Sequence, residues 1–220
     1  MMLRKFETNT YEISEKYKNI SIEVDTVDVL IEPTTSENTK LVCYENKKHL
    51  FEINNETLEI KEDKKWFNLL SIGFKKSNIT LFVPKNIYES IIVKCNTGSV
   101  NISNLVFDRD INIITNTGKI NLENINCENF TSKCNTGSVM LKNLIASKEI
   151  KIKNNTGNVI LAKCDANDIF IKTNTGNVEG SFLTEKTFLV NTNERKVKTP
   201  KTSSNGICEI KTNTGKVSFQ

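Results

Sequence analysis

The sequence predicts an all-β chain wound into a single-chain parallel β-solenoid, and three observations predict it. Asn-Thr-Gly recurs six times between Asn96 and Gly215, apolar columns recur with it at fixed offsets, and apolar and polar residues alternate on both sides of it. The expected architecture is seven regular coils of about 19.5 residues over 91–220. An irregular β-rich N-terminal cap over 1–90, holding the first coils, continues into them as one elongated domain.

The glycines set the period. Gly98, Gly118, Gly137, Gly157 and Gly176 advance by 20, 19, 20 and 19 residues, and Gly215 follows after 39, which is two steps. The missing copy is degenerate. Thr192-Asn193-Glu194-Arg195-Lys196-Val197 stands where Thr212-Asn213-Thr214-Gly215-Lys216-Val217 stands in the next coil, with Arg195 in the glycine place as a strained corner.

The columns give the strands. Two residues after the glycine come Val100, Ile120, Val139, Val159, Val178, Val197 and Val217. Seven before it come Ile91, Ile111, Phe130, Ile150, Ile169, Phe188 and Cys208. Seven after it come Leu105, Ile125, Leu144, Cys164 and Leu183, and the pattern fades at Thr202. Alternation is the period of strands, not of helices. Apolar residues take odd offsets before the glycine and even offsets after it, so the alternation slips at the motif. A corner there produces that slip, with glycine supplying φ > 0. One coil cannot bury its own apolar face, but coils stacked about 4.8 Å apart share a core and a backbone ladder. The Asn column is complete in all seven copies, as a stacked amide ladder requires.

Within 1–90, residues 20–31 read as a further coil with Asp25-Thr26-Val27 at its corner. Residues 51–60 read as a hairpin turning at Asn54-Asn55, and 79–84 as a strand leading into the first regular coil. The chain stops at Lys216-Val217-Ser218-Phe219-Gln220, so this last coil is expected to form the open end of the stack. A monomer is favoured over an end-to-end dimer around Val217 and Phe219, because Lys196, Lys198, Lys201, Lys211 and Lys216 would then face their own copies.

Charge and cysteines bound the chemistry. Residues 1–90 carry 13 basic and 15 acidic groups, and 91–220 carry 17 and 11, so the repeats are mildly basic and suit an anionic partner. The first residues run straight into polar groups, and no apolar run spans a membrane or makes a signal peptide. Cys43, Cys95, Cys127, Cys134, Cys164 and Cys208 show no zinc-type spacing, and four fall on core columns. They are expected to be free thiols in a reducing, cytoplasmic setting, with any envelope association made through a partner.

No catalytic set is legible, so the chain is expected not to be an enzyme and to need no cofactor or metal. His49 is the single histidine and is expected on the surface beside the hairpin. Asp108/Asp110 and Asp165/Asp168 fall in return loops, where Asp favours turns. A carbohydrate-active β-helix is the enzyme alternative, since sugar cleavage uses carboxylates on one face. The outward positions here are instead mostly Lys, Asn, Ser and Thr.

Four residues before each glycine come Lys94, Ile114, Lys133, Lys153, Lys172, Asn191 and Lys211. Stacked lysines repel one another. They serve either to keep a repetitive protein soluble and unpaired, or to bind an anionic polymer along the column. Nucleic acid is disfavoured as that polymer, because the column holds no aromatic residue on which bases could stack.

The strand ending in Val83-Pro84, the following Ile91-Ile92-Val93 and the recurrent Thr/Asn-x-Gly-x-Val-x-Leu/Ile coils resemble the bacterial "putative adhesin" domains of unknown function, also called toast-rack domains. The resemblance covers about 15–220. It implies an all-β solenoid without established enzymatic activity, in a class associated with bacterial envelope stress and often attached to membrane segments, which this chain lacks. The expected function is a non-catalytic structural or interaction module.

Overall fold

The computed structural model describes residues 7–45, 49–63, 77–193, 196–201 and 206–220. The irregular part supplies β1 (Glu7–Ile13), β2 (Asn19–Thr34), β3 (Thr39–Glu45), β4 (His49–Asn54), β5 (Thr57–Glu62), β6 (Ser77–Pro84) and β7 (Ile87–Tyr88). The repeats supply β8 (Ser90–Thr97), β9 (Val100–Phe107), β10 (Asp110–Thr117), β11 (Ile120–Thr136), β12 (Val139–Thr156), β13 (Val159–Cys164), β14 (Asp168–Thr175), β15 (Val178–Phe182), β16 (Thr187–Thr192), β17 (Val197–Lys198), β18 (Ile207–Thr214) and β19 (Val217–Phe219).

Two parallel ladders build the solenoid. Before the corner, β8, β10, the second half of β11, the second half of β12 and β14 stack in register, with Thr97 against Thr117, Thr136, Thr156 and Thr175 in turn. After the corner, β9, the first halves of β11 and β12, β13 and β15 do the same, with Val100 against Ile120, Val139, Val159 and Val178. The inward columns are buried and form one continuous core. Coils of 19 and 20 residues share this register because the odd residue is absorbed in the return, where the pairing slips between Cys127 and Asn129.

Asn-Thr-Gly is a corner, and glycine is needed there for two reasons. Gly118, Gly137, Gly157, Gly176 and Gly215 take φ of 148°, 151°, 133°, 149° and 148°, a region essentially closed to other residues. A Cβ on Gly137 would also lie 1.8 Å from the carbonyl oxygen of Gly118 in the coil beneath. A second corner follows six residues after the glycine, where Asn104, Asn124, Asn143 and Lys163 take φ of 56°, 54°, 51° and 52°. Asn tolerates this left-handed conformation better than most residues. Beyond it the chain turns inward again, burying Leu105, Ile125, Leu144 and Cys164.

At the N-terminal end, β2 is the additional coil, with Thr26 stacked on Thr97 and Val29 on Val100. Residues 79–84 form a strand ahead of the first regular coil in the chain, as expected. They belong to β6, which with β5 lies on the opposite side of β2. Antiparallel β4 continues the sheet beyond β5, and β3 and β1 continue it beyond β6. The hairpin runs longer than expected, from His49 opposite Glu62, and turns at Asn55-Glu56 (φ 47° and 58°). That extension carries His49 inward to 1% exposure, so it is a buried residue and not a surface one.

At the C-terminal end the chain departs from sequence order. β14 pairs with β18, and β18 pairs on its other edge with β16. Likewise β15 pairs with β19 and β19 with β17. The last coil is therefore inserted between the coil of Gly176 and the degenerate coil. Gly176 N–H donates to the Thr214 carbonyl and Val178 N–H to that of Lys216, both at 2.9 Å. Val217 and Phe219 are buried, which excludes them as an end-to-end contact, and the open end is formed by β16 and β17.

At each of these Asn-Thr-Gly corners an added Cβ would strike the carbonyl of the coil beneath, and for Gly215 in the inserted coil that carbonyl is Gly176's, at 2.0 Å. The degenerate coil carries Arg195 at the corresponding place in the sequence. Arg195 itself lies outside the described residues, as do 202–205. Lys196, Lys198 and Lys201 of that coil are exposed.

Candidate functional site

The lysine column lies on the solvent face of the first ladder, because residues three, five and seven before each glycine point into the core. Lys94, Lys133, Lys153, Lys172 and Lys211 are all exposed. The register stacks Lys133 on Lys153, Lys153 on Lys172, and Lys172 on Lys211. In sequence order Asn191 would separate Lys172 from Lys211. Insertion of β18 moves Asn191 to the far side of Lys211, so four lysines follow without interruption. Lys94 is set apart by Ile114 and is flanked on its other side by Glu23.

Little neutralises this run. Lys211 is ion-paired with Glu209, one column across. Among the described residues no carboxylate pairs with Lys133, Lys153 or Lys172. Lys151, in the adjacent column, lies 5.7 Å over the Phe170 ring and 3.6 Å from Glu149.

Beside the lysines, two residues along each strand, runs the asparagine ladder. Asn96 Nδ2 donates to Asp25 Oδ1 at 2.8 Å, Asn116 to Asn96 at 3.2 Å, Asn135 to Asn116 at 3.1 Å and Asn155 to Asn135 at 3.0 Å. Asn213, in the inserted coil, donates to Asn174 in the coil beneath it. Each of these bonds points the same way, so the amide dipoles add and their positive end meets the Asp25 carboxylate. Each amide nitrogen retains a second N–H. A second ladder, from Asn143 through Asn124 to Asn104 at 2.8 Å per step, follows the other corner and was not foreseen from the sequence.

Two shallow grooves flank the column. One, of about 440 Å³, lies on the asparagine side between Ile114 and Lys172. The other, of about 130 Å³, lies on the side of Phe170 and Lys151. The lysine stems form the ridge between them.

Two of the four carboxylates weighed for catalysis are held by neighbouring side chains. Asp110 accepts from Asn129 Nδ2 at 2.8 Å. Asp165 accepts from Lys186 Nζ at 2.7 Å, from Thr184 Oγ1 at 2.9 Å and from its neighbour's backbone N–H at 3.0 Å. Lys186 is buried, a structural ion pair the sequence did not announce. Among the described residues no group of three His, Cys, Asp or Glu side chains is placed to hold a metal ion. All six cysteines are buried free thiols. Burial pushes Cys127 and Cys208 up to about 12 and Cys164 up to about 11. No helix among the described residues is long and apolar enough to cross a membrane.

The fold has solved counterparts. The crystal structure of a "putative adhesin" from Bacteroides fragilis superposes with a TM-score of 0.54 at 16% identity, covering 99% of each chain. That of a "putative cell adhesion protein" from Clostridium sporogenes gives 0.46 at 15% identity over 98% of each chain. At such identity the Bacteroides likeness shows the fold alone. No curated protein matches the chain. The family model Toastrack DUF4097 matches residues 17–218, from the coil of β2 to the last strand, and the chain therefore belongs to the Toastrack DUF4097 family.

Proposed function

We propose that this chain is a non-catalytic interaction module whose solenoid displays the lysine column to an anionic polymer lying along its axis. The observation that carries the reading is the uninterrupted run of Lys133, Lys153, Lys172 and Lys211, three of which have no ion-pair partner among the described residues. Like charges set one strand spacing apart repel, and a polyanion relieves that repulsion along the whole run. Solubility alone would be served by scattered charge. The buried free thiols belong with a reducing location.

Binding of fluorescently labelled polyanions, followed by anisotropy, tests the reading. Affinity should fall as salt is raised, because bound counterions are released on association. Joint replacement Lys133→Gln, Lys153→Gln and Lys172→Gln should abolish binding and leave the melting temperature unchanged or raised. Undiminished binding by that variant would return the column to a role in solubility.

A further inference from the structure

The column is a ruler as well as a charge. Its lysines are set by in-register parallel strands, so they repeat at the strand spacing of about 4.8 Å along the axis. That spacing is about the length of one sugar residue in an extended glycan. A polymer with one carboxylate on every sugar keeps pace with it, lysine for lysine. Polyphosphate packs its charges more closely, and a glycan acidic at every second sugar engages alternate lysines only.

One flank fits a sugar chain as well. On one side the ladder amides of Asn116, Asn135 and Asn155 each offer a second N–H at the same repeat, suited to ring and hydroxyl oxygens. On the other side Phe170 lines the groove with its ring already under the Lys151 ammonium, so the sugar contacts come from the amide side. The run also has ends. Ile114 closes it below Lys133, and Asn191 closes it beyond Lys211. We infer that the face binds a polyuronate, a glycan with one carboxylate per sugar, with a footprint of three to four sugars on Lys133, Lys153, Lys172 and Lys211. This rests on the polyanion reading above and adds to it the identity of the repeat.

Labelled oligogalacturonates of increasing length, their methyl esters and polyphosphate separate the possibilities. Affinity should climb steeply up to the tetramer and level off beyond it. Methyl esterification, which removes charge and keeps the sugar, should weaken binding by tenfold or more. Asn135→Ser with Asn155→Ser should weaken the uronate several-fold and leave polyphosphate unchanged. Polyphosphate binding as tightly as the tetrauronate of equal charge, with no length plateau, would overturn the uronate inference and leave the polyanion reading standing. Failure of every polyanion to bind would overturn both.

Discussion

Replacing Gly137 by Ala tests the corner directly. The added Cβ would lie 1.8 Å from the Gly118 carbonyl oxygen, where real contacts essentially never fall under 3.0 Å. The two coils must therefore part locally by more than an ångström. Two backbone hydrogen bonds cross that corner, Gly118 N–H to the Thr136 carbonyl at 2.9 Å and Ile120 N–H to that of Ser138 at 3.0 Å. Neither survives such a separation, and each contributes about 1 kcal/mol net. The conformation at φ 151° adds about 1–3 kcal/mol for any residue with a side chain. The sum is a loss of about 3–5 kcal/mol, large for one methyl group. Thr136→Ala is the control, an exposed neighbour at the same corner that should change stability by less than about 0.5 kcal/mol. Urea unfolding followed by circular dichroism measures both. Coincident midpoints for the two variants would refute the claim that close stacking, and not only turn geometry, demands the glycine.

Other expectations follow from the same coordinates. Cysteines introduced at Lys172 and Lys211 should form an intramolecular disulfide on mild oxidation, since parallel neighbours bring Cα atoms within the usual range of about 4.4–6.8 Å; a preferential bridge in a Lys172→Cys, Asn191→Cys variant would restore sequential stacking. Asp165→Ala should cost about 3–5 kcal/mol in chemical denaturation by removing the carboxylate that balances the buried Lys186 charge, whereas Lys186→Met should cost far less. Native thiols should resist a thiol reagent at mildly alkaline pH, and all six should react after unfolding. The raised thiol values also set a pH dependence: the folded state holds these protons more tightly than the unfolded chain, so stability is full below the unfolded value of about 8.5 and declines as pH rises toward about 12. A melting temperature that holds steady across that range would count against the burial of Cys127 and Cys208.

Much of the molecule is legible before any coordinates, because a solenoid repeats its constraints. Each inward position meets its equivalent in the next coil, so the Val100–Val217 column, the Asn column and the register of β2 on the first regular coil can be read as spacing alone. The slip in alternation marks the first corner for the same reason. The second corner is less visible, since Asn at Asn104, Asn124 and Asn143 passes for an ordinary polar residue in a return. His49 shows the limit of local reading: one polar residue says nothing of how far the hairpin continues beneath it.

What only the tertiary structure decided is the order of the coils. Spacing gives a coil its content but not its neighbours, because every glycine-cornered coil offers the same two ladders to any other. The edge of β14 could accept the coil that follows in the chain or the one after it. It accepts β18, seven of whose residues pair with it in register, and leaves the degenerate coil at the end. The four-lysine run is a consequence of that choice, made by backbone pairing between residues 39 apart, as Lys172 and Lys211 are.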